Sequence, residues 1–213
     1  MLLDRIERNV VARLAPQTLG ERSAADFGTG TGRFALELMR LGFRVTASDA
    51  SLAMLLATRR KAREDTPDRL DLVRGDIYGL PMKAESFSFV VCIHVLSQLG
   101  HIEHQMEAVR ELVRVCAPGG RVVFDAYNRN SLAMLAPSAK TGLVSLSALE
   151  RRLVEMGDVR VDRIIGRFIV PLTFFRLVPK SWHRKLDHLD EIASSKASRF
   201  ATKSYYCLVK CKR

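Results

Sequence analysis

The sequence predicts a doubly wound α/β fold built around a mostly parallel sheet with helices on both faces. Apolar segments alternate with helical patterns through about the first 125 residues. A glycine-rich turn joins the first apolar segment to the helical pattern that follows it, and acidic residues stand after several of the apolar segments. Strands that alternate with helices favour parallel pairing with right-handed crossovers.

The first part of the chain opens on a helix. Apolar residues at helical spacing predict this helix over about 4–14, and Pro16 ends it. Ser51 is an expected N-cap of a later helix, and Gly42 closes an earlier one. Strands are predicted over about 23–28, 43–48, 70–74 and 87–93, with helices over about 32–41 and 51–64. The strand over 87–93 is apolar enough to be buried on both faces.

The second part of the chain continues the alternation and then departs from it. Ser147 is an expected N-cap, because Glu150 follows it at capping-box spacing, and Gly157 is the expected stop of that helix. Helices are predicted over about 102–116, 147–156 and 180–193, and strands over about 121–125, 159–169 and 204–209.

The length of 213 residues fits one domain over 1–213. Within it we expect an N-terminal helix inside 1–20 and two insertions that cover a functional site, at 126–146 and 171–203. The second insertion carries apolar residues that could form its underside or could simply pack on the sheet: Phe174, Phe175, Leu177, Val178 and Trp182.

The segment Ala25-Asp-Phe-Gly-Thr-Gly-Thr-Gly32 is the most informative part of the chain. Glycine is needed where a ligand lies against bare backbone or where φ is positive, and a helix start offers unpaired N–H groups. Arg33 stands where a dinucleotide-binding turn needs a third small residue. Asp26 suits a ligand that carries an ammonium group better than a pyrophosphate. A nicotinamide cofactor is therefore disfavoured.

A second acid follows the next predicted strand. Asp49 lies 21 positions after Gly28, near the separation of about 20 residues at which an acid accepts hydrogen bonds from ribose hydroxyls. A nucleoside-containing ligand is therefore expected on the turn.

Several further motifs follow in order: Gly75-Asp76-Ile77, Leu80-Pro81-Met82, Ser86-Phe-Ser-Phe-Val-Val91, Glu111-Leu-Val-Arg-Val115 and Pro118-Gly-Gly120. With the glycine turn and Asp49 they resemble the class I S-adenosylmethionine (SAM) dependent methyltransferases, particularly the group that includes quinone-biosynthesis methyltransferases. The resemblance covers roughly residues 20–127. It implies SAM as cofactor, S-adenosylhomocysteine as product, and a seven-stranded sheet of order 3-2-1-4-5-7-6 with the last strand antiparallel. Ser97-Gln98 departs from the Glu-His that the family often has there.

The resemblance also implies roles for individual residues. Asp26 and the turn would hold the methionine moiety, Asp49 the ribose, and Asp76 the adenine amino group, while Ile93 and His94 would border the methyl group. The full expected cofactor set is Asp26, Phe27, Gly28, Thr29, Gly30, Gly32, Asp49, Ala50, Met54, Gly75, Asp76, Ile77, Ile93 and His94.

Three side chains at strand ends are candidates for catalysis. His94 follows the fourth strand and can titrate near neutral pH, so it is the first candidate for a general base. Asp125 and Tyr127 end the fifth strand and would face the same crevice. A histidine bonded to backbone, an acid that caps a turn and an aromatic that packs in the core remain open alternatives.

Charge, apolar runs and the spacing of cysteines and histidines indicate which partners the chain can have. The net charge is +11, of which +8 lies in residues 157–213, so an acidic partner or a solvated basic surface are both open. No apolar run approaches the roughly 20 residues of a membrane span, although peripheral membrane contact stays open. The cysteines and histidines are scattered, which predicts no metal site and suits a cytoplasmic protein.

Three functions are compatible with these features. We expect a methyltransferase that acts on a small-molecule or lipid-like acceptor. RNA methylation is not favoured, because no Asn-Pro-Pro-Tyr type motif is present and only 7% of residues are aromatic. A SAM-binding partner subunit without catalysis is the third alternative. The sequence does not define the oligomeric state.

Overall fold

A computed structural model describes residues 2–16, 22–62, 67–131, 142–169 and 182–212. Its strands are β1 (Ser23–Phe27), β2 (Arg44–Asp49), β3 (Leu70–Arg74), β4 (Phe87–Cys92), β5 (Cys116–Asn128), β6 (Leu143–Val144), β7 (Val159–Arg167) and β8 (Lys203–Lys210). Its α-helices are α1 (Leu2–Leu14), α2 (Arg33–Arg40), α3 (Leu52–Ala62), α4 (Ile102–Val115), α5 (Leu146–Met156) and α6 (His183–Lys196).

The strands form one sheet of order β3-β2-β1-β4-β5-β8-β7, and β8 is antiparallel to both of its neighbours. The predicted order and the antiparallel final strand are therefore confirmed. The two-residue strand β6, which pairs in parallel with the end of β5, is an addition to the prediction. The reversal of strand order between β1 and β4 creates the crevice in which doubly wound folds bind ligands.

Two apolar cores lie on the two faces of the sheet. Helices α4 and α5 pack over one face, and α1, α2 and α3 pack over the other. Strand β4 contributes to both, because Val90 and Cys92 face the first core while Phe89 and Val91 face the second. This explains why its sequence is continuously apolar.

The local differences from prediction have clear causes. Strand β5 is longer than the predicted 121–125, because it pairs with β8 as far as Tyr127. Helix α5 begins one residue earlier than expected, with Ser145 rather than Ser147 at its N-cap. Glu150 accepts a hydrogen bond from the Tyr206 hydroxyl at 3.2 Å, so it serves packing against β8 rather than a capping box.

A buried ion cluster joins the first helix to the last strand. The Lys203 ammonium lies 2.5 Å from Glu7 Oε1 and 2.7 Å from Asp125 Oδ2, and all three side chains are buried. Burial alone would lower the pKa of Lys203, but the charges of Asp125 and Glu7 raise it above its ordinary value. Burial opposes ionisation of Glu7 too, yet a hydrogen bond from His94 and the charge of Lys203 hold its pKa well below the usual range.

The described part of the second insertion is anchored by one buried acid. Asp190 of α6 accepts a hydrogen bond from the Phe168 backbone at 2.9 Å. Trp182, Leu189 and Ile192 are exposed, so they do not form an apolar underside in this arrangement. The other four aromatic and aliphatic residues predicted for that surface lie outside the described residues, and coverage of the site stays a prediction. None of the described helices combines the length and apolar character that a bilayer span requires.

Replacing Lys203 with Met should strongly destabilise the fold, because Glu7 and Asp125 would be left buried without a cation. Removing one partner of a buried pair costs about 3–5 kcal/mol in the free energy of unfolding. Urea unfolding at neutral pH measures the change. The matched control is Arg44→Met, whose exposed pair with Asp71 is worth about 1 kcal/mol or less. Equal losses for the two variants would contradict the importance of the buried cluster.

Candidate functional site

The turn after β1 has the backbone conformation that its glycines allow. Gly28, Gly30 and Gly32 have φ of +68°, +55° and +82°, values that residues with a Cβ rarely adopt. The N–H groups of Gly28 and Thr29 donate to the Ser48 carbonyl at 2.8 and 3.0 Å, which ties the turn to the end of β2.

The three glycines differ in what surrounds them. A Cβ on Gly28 would lie 2.1 Å from Val95 Cγ2, and one on Gly32 would lie 2.6 Å from Thr58 Cγ2. A Cβ on Gly30 would meet nothing within 4 Å. Gly28 and Gly32 are therefore needed for packing, whereas Gly30 presents open backbone on which a ligand can lie.

Asp26 holds this turn from beneath. Its Oδ2 accepts hydrogen bonds from the Thr29 hydroxyl at 2.6 Å and from the Ala35 N–H at 3.0 Å. It thus replaces the side-chain cap that Gly32, the N-cap residue of α2, does not supply. Burial raises the pKa of the Asp26 carboxyl to about 6, although its two hydrogen bonds act in the opposite direction.

Asp49 is the last residue of β2, and Asp76 lies two residues beyond the end of β3. Asp49 accepts the Gly30 N–H on Oδ2 and the Ser51 N–H on Oδ1, each at 2.9 Å. Asp76 Oδ1 accepts the Tyr78 N–H at 3.0 Å. These bonds fix both carboxylates while each oxygen keeps a second lone pair for a ligand donor.

One open cavity of about 630 Å³ gathers most of the predicted cofactor residues. The predicted residues that line it are Phe27, Gly28, Thr29, Gly30, Asp49, Ala50, Met54, Gly75, Asp76, Ile77, Ile93 and His94. Asp26 and Gly32 are not among its lining residues, because both lie buried under the turn. Residues absent from the prediction also line it, including Arg33, Tyr78, Val95 and Gln98.

His94 stands at the cavity edge in an unusual backbone conformation. Its φ of +67° lies in the left-handed region, where residues other than glycine are uncommon. Asp125 Oδ1 accepts its N–H at 2.7 Å, and the Gln98 amide donates to its carbonyl. Its ring Nε2 lies 2.8 and 2.9 Å from the two oxygens of Glu7.

The other two candidates for catalysis occupy different environments. Asp125 has no exposed surface and pairs with Lys203, so the structure corrects the expectation that it faces the crevice: it holds the His94 backbone instead. The Tyr127 hydroxyl lies 3.4 Å from His94 Nδ1. Burial raises the pKa of Tyr127 above its ordinary value.

Glu7 and Lys203 belong to this site although sequence reasoning missed them. A signal for each was present. Glu7 falls on the apolar face of α1, at helical spacing from Val10, Val11 and Leu14. Lys203 falls on the inward face of β8, two residues before the buried Tyr205.

Comparison with known proteins gives the context for this geometry. Residues 25–124 match the family model described as a methyltransferase domain. The chain is 33% identical over 125 residues to a demethylmenaquinone methyltransferase of Clavibacter sepedonicus, covering 59% of this chain and 49% of that protein. It is 26% identical over 207 residues to a malonyl-[acyl-carrier protein] O-methyltransferase of Buchnera aphidicola, covering 95% and 79%. The chain spans about half or less of the length of several of these curated relatives.

Solved structures share the fold at low sequence identity. Magnesium protoporphyrin IX methyltransferase from Synechocystis, crystallised with S-adenosylhomocysteine, has a TM-score of 0.69 at 18% identity, with 98% of this chain and 84% of that chain covered. The [4+2]-cyclase SpnF has a TM-score of 0.70 at 17% identity, with 99% and 82% covered. At this identity the likeness establishes the fold alone.

Acid should stabilise the wild-type protein relative to Asp26→Asn. The folded pKa of about 6 exceeds the unfolded value of 3.8, so ionisation of Asp26 costs stability at neutral pH and protonation recovers it as pH falls. Urea unfolding should show the difference between the two proteins changing by about 2 kcal/mol between about pH 7.5 and about pH 4.5. The exposed Asp71→Asn serves as control. Parallel pH profiles for wild type and Asp26→Asn would contradict the role assigned to burial.

Proposed function

We propose that the chain is a SAM-dependent methyltransferase that acts on a small-molecule or lipid-like acceptor, since residues 25–124 match the family model described as a methyltransferase domain. The observation that carries the proposal is a single cavity bounded by the bare turn at Gly30, by Asp49 and by Asp76. Open backbone and two carboxylates at neighbouring strand ends match a ligand with an α-amino acid, a ribose and an amino-substituted base.

The residues present fit each part of this cofactor. Open backbone at Gly30 and the start of α2 favour the methionine end. Asp49 would accept from the ribose hydroxyls with the lone pairs that Gly30 and Ser51 leave free. Asp76 would accept from the adenine amino group, and the half-buried side chain of Ile77 lies beside it in the cavity wall.

Asp26 contributes indirectly to this binding. Its carboxyl is 1% exposed and is committed to Thr29 and Ala35, so its effect on a ligand passes through the shape of the turn. A positively charged ligand above the turn would still gain from the nearby carboxylate, because charge is screened weakly where water is partly excluded.

When bound, SAM supplies a methyl group already activated on a sulfonium sulfur. The work left to the chain is to align the acceptor, exclude water and take a proton from the acceptor where one must leave. His94 is the residue we assign to the proton, since it lines the cavity and its ring is about one-third exposed.

The names of the curated relatives support the proposed acceptor class. Curated relatives carry the names of methyltransferases for demethylmenaquinone and for malonyl-[acyl-carrier protein], whose acceptors are a quinone precursor and a carrier-bound acyl group. The segments 126–146 and 171–203 would cover an acceptor of this kind. A cytoplasmic location would suit the reduced state of the cysteines, three of which are buried as free thiols.

A cofactor-binding protein without methyl transfer is the second candidate. It stays open because the [4+2]-cyclase SpnF, which is named for a different reaction, shares the fold over 99% of this chain. A screen of phenolic, quinol and carrier-bound acyl acceptors with methyl-labelled SAM separates the two candidates. Transfer of label to any acceptor excludes the second candidate. Binding of RNA with a steep dependence on salt would instead revive RNA methylation.

Titration calorimetry should detect binding of both SAM and S-adenosylhomocysteine to the wild-type protein. Asp49→Asn and Asp76→Asn should each weaken the affinity by about tenfold to a hundredfold, because each loses a charged hydrogen-bond acceptor. Asp71→Asn is the control: it changes an exposed carboxylate of β3 and should leave the affinity unchanged. Binding of a nicotinamide dinucleotide in the absence of any SAM binding would contradict the proposal.

His94→Asn should lose methyl transfer while the cofactor affinity falls far less, because His94 is one of many residues that line the cavity. Asparagine tolerates the positive φ at this position, so the variant removes the ring with little backbone strain. Loss of a general base lowers kcat by about 10²–10⁴-fold. Labelled methyl transfer gives kcat, and calorimetry gives the affinity. Turnover that persists at the wild-type rate would exclude the assigned role.

A further inference from the structure

Two buried charged residues contact His94 from behind the cavity. Glu7 comes from α1 and Lys203 from β8, and neither lines the cavity itself. Both lie outside residues 25–124, the part of the chain that matches the methyltransferase domain. Both contact the imidazole of His94, so they can influence its orientation and protonation as well as stabilise the fold.

Glu7 acts only as an acceptor in this arrangement. Arg33 donates to Oε2 at 2.7 Å, while the Tyr205 hydroxyl at 3.0 Å and the Lys203 ammonium donate to Oε1. With so many donors around it, the carboxyl stays ionised, and its pKa is held well below the usual range despite burial. The His94 Nε2, at 2.8 and 2.9 Å from its two oxygens, must therefore be the donor.

Lys203 does not compete for that nitrogen. Its Nζ donates to Glu7 Oε1 at 2.5 Å and lies 2.7 Å from Asp125 Oδ2 as an ion pair. Its Nζ is 3.2 Å from His94 Nε2 and 3.4 Å from Nδ1. A donor aligned with one ring nitrogen would lie much farther from the other, so these similar distances place the ammonium beside the ring rather than on a lone-pair axis.

We propose that Glu7 and Lys203 are positioning residues that hold His94 with its proton on Nε2 and its acceptor lone pair on Nδ1. The inference rests on the function proposed above and identifies the nitrogen that takes the proton. The proton leaves the nucleophilic atom of the acceptor and bonds to Nδ1, and Glu7 then stabilises the imidazolium through Nε2.

The Tyr127 hydroxyl is the neighbour of Nδ1, the nitrogen assigned to the acceptor proton. It lies 3.4 Å from Nδ1, which is longer than an ordinary hydrogen bond, so this contact holds the Nδ1 lone pair only weakly. Tyr127 itself keeps its proton, because burial raises its pKa.

Charged groups of both signs surround the imidazole. Two anions and two cations meet there, and two tyrosine hydroxyls complete the set. The groups are Glu7 from α1, Arg33 from α2, Asp125 and Tyr127 from β5, and Lys203 and Tyr205 from β8. A neutral imidazole in a fixed tautomer is the form that a general base requires.

Nitrogen NMR of the imidazole tests the tautomer directly, with the full chain and no acceptor. Protein with ¹⁵N-labelled histidine is measured near pH 7.5, free and with S-adenosylhomocysteine, and the His94 signals are identified by their loss in His94→Asn. In wild type we expect protonated Nε2 and unprotonated Nδ1, with this tautomer favoured by about tenfold or more. In Glu7→Gln the preference should fall several-fold, because the amide can donate as well as accept.

Glu37→Gln is the matched control, since the half-buried Glu37 pairs with Arg8 and Arg40 at 3.6 and 3.7 Å rather than with His94. It should leave the His94 signals unchanged. An unprotonated Nε2 or a doubly protonated ring in wild type would overturn the inference, and so would a Glu7→Gln spectrum identical to wild type. The wild-type spectrum decides the matter even if Glu7→Gln fails to fold. The tautomer is read in the free protein and does not depend on cofactor binding. A protein that fails to bind the cofactor would therefore refute the proposed function but not the tautomer assignment.

Discussion

The pairing of Lys203 with Glu7 and Asp125 is the contact on which the arrangement of the site depends. It joins the first helix, the last strand and the end of β5 at one buried point. Asp125 then holds the His94 backbone, and Glu7 holds its ring. The edge of the site where the methyl group would lie is therefore fixed by residues 7 and 203, which come from opposite ends of the chain.

The sequence predicted the parts of the site that follow from strand geometry. Acids after parallel strands meet at one edge of a sheet, so Asp49 and Asp76 could be assigned to the cavity before the structure was known. The strand order could be assigned by resemblance, and the structure confirms it. Positive φ at Gly28, Gly30 and Gly32 follows from the same turn pattern.

The rest depended on contacts between distant parts of the chain. A strand-end acid looks the same in sequence whether it faces a cavity or a helix start. Asp26 accepts hydrogen bonds from the Thr29 hydroxyl of the turn and from the Ala35 N–H of α2. Asp125 was likewise expected in the crevice and is buried against Lys203 instead. Pairing over some 200 residues leaves only a weak trace in a single sequence: a charge on an otherwise apolar face.

A structure of the protein with S-adenosylhomocysteine bound would test the central claim most directly. We predict the ribose hydroxyls on the Asp49 carboxylate, the adenine amino group on Asp76, the amino-acid end on the Gly30 turn and the sulfur on the side that faces His94. The same ligand in another part of the fold, or with its ribose remote from Asp49, would contradict that claim.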